Sequence, residues 1–363
     1  MTKHRRSRAV VGLVAALVAA CGTGVGIGYV INSASTPPVT QPAGPTTTGG
    51  SSSGGTSGTS ALTAKVASGL VNIYVAFAYE TAQGAGTGMV VTSSGQVITN
   101  NHVIAGATAI RAADLGNGKT YDASVVGYDV SGDVAVLQLQ GASGLATVAL
   151  AGSSVRLGDS VVAIGNAGGH GTPTASAGVV TGLDQAITTH SELSGTTEHL
   201  SGLIETDAAI ESGHSGGPLV NANARVVGMV TAGSFNFAFS QGASQGYAVP
   251  TTTFRSIAAD IVSGKQSGSV HVGPTAFLGV QVTPVQQAGA LVVQVVGTSP
   301  AAVAGVKPGD LITGLAGQPV RRPETVASVL AAYRPGATIQ VTLVDQAGVQ
   351  RTVTVTLVAG PPA

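Results

Sequence analysis

The chain has 363 residues, 44% of them apolar, with 16 basic and 16 acidic side chains and a formal net charge of zero. That length accommodates two or three domains with real apolar cores, and the charge balance argues against a nucleic-acid partner, which calls for a basic face. With 53 glycines, no tryptophan and only 9% charged residues, the chain has little material for long helices and reads as mostly β.

In chain order, Lys3, Arg5, Arg6 and Arg8 precede an uncharged stretch from Ala9 to Ile31 that is long enough to cross a bilayer as one helix. Three readings fit residues 1–31: an uncleaved anchor, a signal peptide cut near Ser33 to Ser35, or a lipoprotein signal ending at Cys21, where Val18-Ala19-Ala20-Cys21 resembles a bacterial lipobox. The apolar run continues past Cys21 through Tyr29, Val30 and Ile31. That favours a single-pass membrane protein with its body outside the cytoplasm over a secreted or lipid-anchored one. Cys21 is the only cysteine, so exported domains hold no intrachain disulfide and depend on burial.

Residues 32–61 are nearly all Ser, Thr, Gly and Pro, a composition that reads as a disordered tether. From Leu62 to about Val249, twelve short apolar or alternating runs recur between glycine-rich turns without intervening amphipathic helices, which favours an antiparallel sandwich or barrel. Thr251 to Val262 carries Phe254, Ile257, Ala258 and Ile261 at helical spacing and closes a first domain at residues 62–264. Lys265 to Gly273 reads as a break. A smaller domain of strands and one or two helices follows at residues 273–359, with Ser299 capping a short helix that has Pro300 at its first position and a longer helix over Pro323 to Tyr333.

Three motifs carry chemistry: T-N-N-H-V-I at Thr99 to Ile104, G-D-V-A-V-L at Gly132 to Leu137, and G-H-S-G-G-P-L at Gly213 to Leu219. A serine becomes a nucleophile when an imidazole takes its proton and a buried carboxylate fixes that imidazole's tautomer. His102 follows a strand and a polar turn, which suits a rigidly held base. Asp133 opens an apolar strand, so its carboxylate enters the interior and needs a partner. Ser215 lies among Gly213, Gly216 and Gly217, where the backbone can turn sharply and the N–H groups of Gly213 and Ser215 can converge on an oxyanion. The other histidines read as solvated: His4 in the basic tail, His271 in the break, and His170, His190 and His199 in loops. Asp129 reads as exposed before a turn. No recognised ligand spacing points to a metal, and no cofactor is expected.

These motifs resemble the trypsin-fold serine proteases of the HtrA/DegP type from about Leu62 onward. The resemblance includes G-A-G-T-G-M-V-V at Gly84 to Val91, L-G-D-S-V-V-A-I-G-N at Leu157 to Asn166, E-T-D-A-A-I at Glu205 to Ile210 and Q-G-Y-A-V-P at Gln245 to Pro250. It implies two perpendicular six-stranded antiparallel β-barrels with the active site between them, followed by a small α/β PDZ domain. F-L-G-V at Phe277, Leu278, Gly279 and Val280 matches the PDZ loop that captures a peptide carboxylate while the peptide adds a strand; G-V-K-P-G-D-L-I at Gly305 to Ile312 is the more telling match. The family's specificity pocket implies an apolar site built from Ile210 beside Ala209, completed by Thr231, Ala232 and Gly233, taking Val, Ala or Leu with loose selectivity. Asp207 and Glu211 are near enough in sequence to challenge that. Two departures stand out: Phe277, where Tyr is common, which should change little, and His214, where Asn is usual, either a titratable ring beside the oxyanion hole or a surface side chain with no role.

The resemblance thus implies a membrane-tethered extracytoplasmic serine endopeptidase of protein quality control under stress, acting on unfolded or mislocalised polypeptides and binding peptide C-termini through its PDZ domain. It also raises a homotrimer resting on N-terminal loop contacts. The alternatives are a chaperone or scaffold with low or latent protease activity, and a processing protease for one envelope substrate.

Overall fold

The computed structural model describes residues 54–77, 83–190, 197–233 and 245–362. The expected anchor or signal at residues 1–31, including Cys21, and most of the tether lie outside them. Among the described residues no helix is long and apolar enough to cross a membrane. Helix α1 (Gly54–Ala67) begins within the segment read as tether.

The first six strands are β1 (Leu70–Ala76), β2 (Gln83–Val90), β3 (Gln96–Thr99), β4 (Ala109–Asp114), β5 (Thr120–Asp129) and β6 (Val134–Leu139), with the one-turn helix α2 (Asn101–Ile104) between β3 and β4. They pair antiparallel in the order β5-β4-β1-β2-β3-β6, and β5 also pairs with β6, which closes the circuit. Then come β7 (Ser160–Gly165), β8 (Thr174–His190), β9 (Thr197–Thr206), β10 (Pro218–Asn221), β11 (Val226–Gly233) and β12 (Gly246–Pro250), a closed barrel in the order β10-β11-β12-β9-β8-β7. The twelve-strand reading therefore holds, and helix α3 (Thr251–Val262) follows as expected.

Two-residue periodicity explains why the inner strands are almost wholly apolar. Along β6, Ala135, Leu137 and Leu139 join the first barrel's core, while Val134 and Val136 join a separate cluster with Met89, Ile164, Met229, Phe254 and Ile261. Along β7, Val161 and Ala163 face the second barrel's core, and Val162 and Ile164 join that same shared cluster. Both faces of these strands are dry, as in any strand buried on two sides, and each such Val or Leu contributes about 1.5–3 kcal/mol. The shared cluster clamps barrel to barrel.

Three expectations fail here. The segment read as a break contains β13 (Val270–Val272), which adds to β5 with His271 opposite Tyr128. His271 is therefore buried, its ring 5.0 Å from that of Tyr128 and stacked on it, not solvated. Asp129 is buried too, because its Oδ1 accepts from Ser131 Oγ at 2.7 Å and Gly132 N at 3.0 Å and so closes the turn into β6.

The C-terminal domain contains β14 (Thr275–Phe277), β15 (Val280–Thr283), β16 (Ala290–Val295), α4 (Pro300–Val303), β17 (Leu311–Leu315), β18 (Gln318–Pro319), α5 (Pro323–Ala331), β19 (Thr338–Val344), β20 (Gln350–Thr356) and β21 (Val358–Gly360). Ser299 caps α4 as predicted, its Oγ accepting from Ala302 N at 3.2 Å. In G-V-K-P-G-D, the buried Asp310 accepts from Lys307 N at 3.0 Å and from Arg351 Nη2 at 2.7 Å, which holds the loop against β20.

Candidate active site

His102 and Asp133 meet because α2 leaves β3 at the same end at which the chain enters β6, and β3 pairs with β6. His102 Nδ1 lies 2.9 Å from Asp133 Oδ2 and 3.1 Å from Oδ1, and the His102 backbone N–H donates to Oδ1 at 3.0 Å. An ionised carboxylate only accepts, so Nδ1 carries the ring proton and Nε2 is the basic nitrogen. Asp133 has φ 51°, sits just before β6 rather than inside it, and is fully buried. Its carbonyl accepts from Asn100 Nδ2 at 3.0 Å.

Thr231 supplies a further donor. Its Oγ1 donates to Asp133 Oδ2, and its carbonyl accepts from Ser215 Oγ at 3.3 Å. This residue of β11, expected on the specificity pocket wall, thus ties the carboxylate of one barrel to the serine of the other. Ser215 Oγ donates to that carbonyl in this structure.

The nucleophile turn fits only without side chains at its glycines. A Cβ on Gly213 (φ 96°) would lie 2.1 Å from Asn166 O, and one on Gly216 (φ 80°) would lie 2.1 Å from Thr87 O. Thr87 organises the turn from β2: its N–H donates to Ser215 O at 2.9 Å, and its Oγ1 donates to Gly213 O at 2.7 Å while accepting from Asn166 N at 2.9 Å. Among the described residues, the N–H groups of Gly213 and Ser215 donate to no protein acceptor, whereas that of His214 between them donates to Glu211 O at 3.0 Å. His214 is buried, which removes the reading of it as a surface side chain.

Around the expected pocket, Ile210 is buried and fills the space that Gly246 leaves, a Cβ there meeting Ile210 Cδ1 at 2.2 Å. Asp207 and Glu211 are exposed. Of Ala232 and Gly233 the strand backbone is described and the side-chain surroundings lie outside the described residues. His170 and His199 are exposed, the latter's Nδ1 2.9 Å from Thr188 Oγ1, and the side chain of His190 lies outside the described residues.

In the C-terminal domain, Leu278 is buried in the core, and its carbonyl accepts from Ala301 N at 2.9 Å. Gly279 has φ 87° and its carbonyl accepts from Val296 N at 3.0 Å and Ser299 Oγ at 3.2 Å. Among the described residues the Leu278 and Gly279 N–H groups have no protein acceptor. Val280 opens β15, an edge strand of its sheet, and Phe277 ends β14 opposite Val358.

The trypsin-like peptidase domain family matches residues 86–229, and the PDZ domain family matches residues 276–357. The chain is HtrA-like, a trypsin-like peptidase domain followed by a PDZ domain. It is 36% identical over 289 residues to the serine protease PepD of Mycobacterium tuberculosis, covering 75% of this chain and 60% of that protein. It is also 36% identical over 275 residues to the periplasmic pH-dependent serine endoprotease DegQ of Escherichia coli, covering 72% of this chain and 56% of that protein. The HtrA-like chain therefore spans little more than half the length of these curated relatives. A solved structure of the serine endoprotease from Yersinia pestis is similar at 27% identity, covering 82% of this chain and 96% of that one with a TM-score of 0.46.

Sequence reasoning singled out His102, Asp133 and Ser215 and missed the residues that hold them, Asn100, Thr87 and the hydroxyl of Thr231. The neighbours in T-N-N-H and G-A-G-T-G offered a signal for the first two. Nothing local marks Thr231, which lies 98 positions from Asp133.

Proposed function

We propose that this chain is a serine endopeptidase of the HtrA type in which Ser215 is the nucleophile, His102 the general base and Asp133 the residue that orients and stabilises the imidazolium. The observation that carries this reading is the buried Asp133 carboxylate, which receives His102 Nδ1, His102 N and Thr231 Oγ1 together. In the first step Ser215 Oγ attacks a substrate carbonyl carbon and His102 Nε2 takes its proton. The amine then leaves with that proton, and water hydrolyses the acyl ester by the same route. The open N–H groups of Gly213 and Ser215 support them as the donors to the tetrahedral oxyanion.

Ile210 supports an apolar P1 preference, for Val, Ala or Leu, with the chain beyond Thr231 completing the pocket. The unpaired N–H groups of Leu278 and Gly279 beside an edge strand support capture of a peptide C-terminus by strand addition. Periplasmic relatives and the basic, apolar N-terminal sequence support an extracytoplasmic, membrane-tethered body; unfolded chains as substrates and a homotrimer as the assembly rest on the family resemblance alone. One observation favours the second reading, of a resting or latent protease: Ser215 Oγ is held by Thr231 O.

The test uses the full chain and unfolded casein. Ser215→Ala lowers turnover by several orders of magnitude, and cleavage at the wild-type rate in that variant sinks the triad assignment. Turnover that stays at background in wild type, with and without a PDZ-binding peptide, favours the scaffold reading.

A further inference from the structure

The ring of His214 is 1% exposed and fixed at both nitrogens. Glu211 N–H donates to its Nδ1 at 2.9 Å, and a backbone N–H can only donate, so Nδ1 is bare and the ring proton is on Nε2. Nε2 lies 3.0 Å from Thr174 Oγ1, which passes its own hydrogen to Gly165 O at 3.3 Å. With His214 N–H returning to Glu211 O at 3.0 Å, residues 211–214 form a turn closed twice, once by backbone and once by the ring. That turn carries Gly213 N–H, and Gly168 N holds its Ser212 carbonyl at 2.8 Å. Gly165 makes room for the ring, since a Cβ there would lie 3.1 Å from His214 Cδ2.

We propose that His214 is a positioning residue for the oxyanion donors, its bare Nδ1 holding the Glu211–Gly213 turn, so that a proton added to the ring sets two donors face to face and opens the turn. This rests on the peptidase reading and gives the same site a regulator distinct from His102. Glu211 is the one charged group that bears on the ring among the described residues; β2, β7 and β8 present Thr87, Gly165 and Thr174, none of which titrates. Burial holds the ring's pKa below its ordinary value, opposed by the Glu211 charge and by hydrogen bonding at Thr174. The ring is therefore neutral at pH 8 and gains its proton at a lower pH than an ordinary imidazole does.

The variants are His214→Asn, which keeps an acceptor and removes the titration, and His214→Leu, which removes both. At pH 8, His214→Asn retains kcat within about threefold, and His214→Leu loses roughly 100-fold or more in kcat with little change in KM, the scale of losing one oxyanion donor. On the acid side, log kcat/KM of wild type falls with a limiting slope one unit steeper than that of His214→Asn, the extra proton being the one on His214. Equal slopes overturn the proposal, as does a folded His214→Leu with wild-type kcat; if the Leu variant does not fold, the slopes decide. A second arm needs no activity. In Ser215→Ala, the Glu211 amide is protected from hydrogen exchange at pH 8 and loses protection at pH 5 after correction for intrinsic rate, whereas Ser215→Ala with His214→Asn keeps it. Identical behaviour of the two proteins overturns the proposal even if the peptidase reading has failed separately in the wild-type assay.

Discussion

Replacing Thr231 by Val removes one hydroxyl and little volume, and that hydroxyl donates to a carboxylate whose side chain is 1% exposed. A hydrogen bond to a charged group contributes about 1.5–3 kcal/mol. Water cannot substitute for it at so buried a site, so the loss should appear nearly in full. For a unit of 150–250 residues, about 2–4 °C of melting temperature accompanies each kcal/mol; Thr231→Val should therefore melt roughly 3–12 °C below wild type. Asp133 keeps its two donors from His102, so the fold survives, but the imidazole is oriented by a less constrained carboxylate. If the same free energy is lost from the transition state, kcat/KM falls at most about 10- to 150-fold. Thr231→Ser keeps the donor and should stay within about 1 kcal/mol of wild type. The assays are thermal melting at pH 8 and hydrolysis of a fluorogenic peptide with an apolar P1 residue. A Val variant that melts and turns over like wild type would refute the claim that Thr231 supports Asp133.

Two further outcomes are expected. Gly279→Ala forces a Cβ to within 2.0 Å of Ser299 Cβ at φ 87°, a strain of about 1–3 kcal/mol before the overlap is counted; binding of a fluorescent C-terminal peptide should weaken at least about tenfold while short-peptide hydrolysis is unchanged, and an unaltered Kd would exclude this loop as the carboxylate site. His271 has its pKa lowered by burial first and by the Arg334 charge, against hydrogen bonding at Pro274 and Gly273. The unfolded ring then binds a proton near pH 6.5 more readily than the folded one, so its contribution to stability is complete above about pH 6.5 and is lost as the pH falls through the lower folded value. His214 acts in the same direction, so the readout is a difference: melting temperature from pH 8 to 5 should fall more steeply in wild type than in His271→Gln, and parallel curves would remove His271 from the account.

Much of this molecule is written locally. The alternation along β6 and β7 follows from the two-residue period of a strand, and strands dry on both faces show as the runs V-A-V-L and V-V-A-I. The nucleophile turn is legible because Gly213 and Gly216 stand where any Cβ would strike backbone. Ser299-Pro300 states its own helix start. What sequence could not settle depends on contacts between distant segments. Asp129 and His271 look polar and exposed along the chain, yet one closes a buried turn and the other is carried inside when Val270–Val272 joins β5 and stacks it on Tyr128. Thr231 is one more β-branched residue in a strand until barrel closure brings it to Asp133, 98 positions away. His214 is a departure from a motif until Thr174 and Glu211 close around it and make it a buried base. Sequence by itself determined how the strands alternate and singled out His102, Asp133 and Ser215 as the candidate triad, since both are written in neighbouring positions. Tertiary structure alone decided which polar side chains are buried and what they hold, because burial belongs to the packed surface between segments.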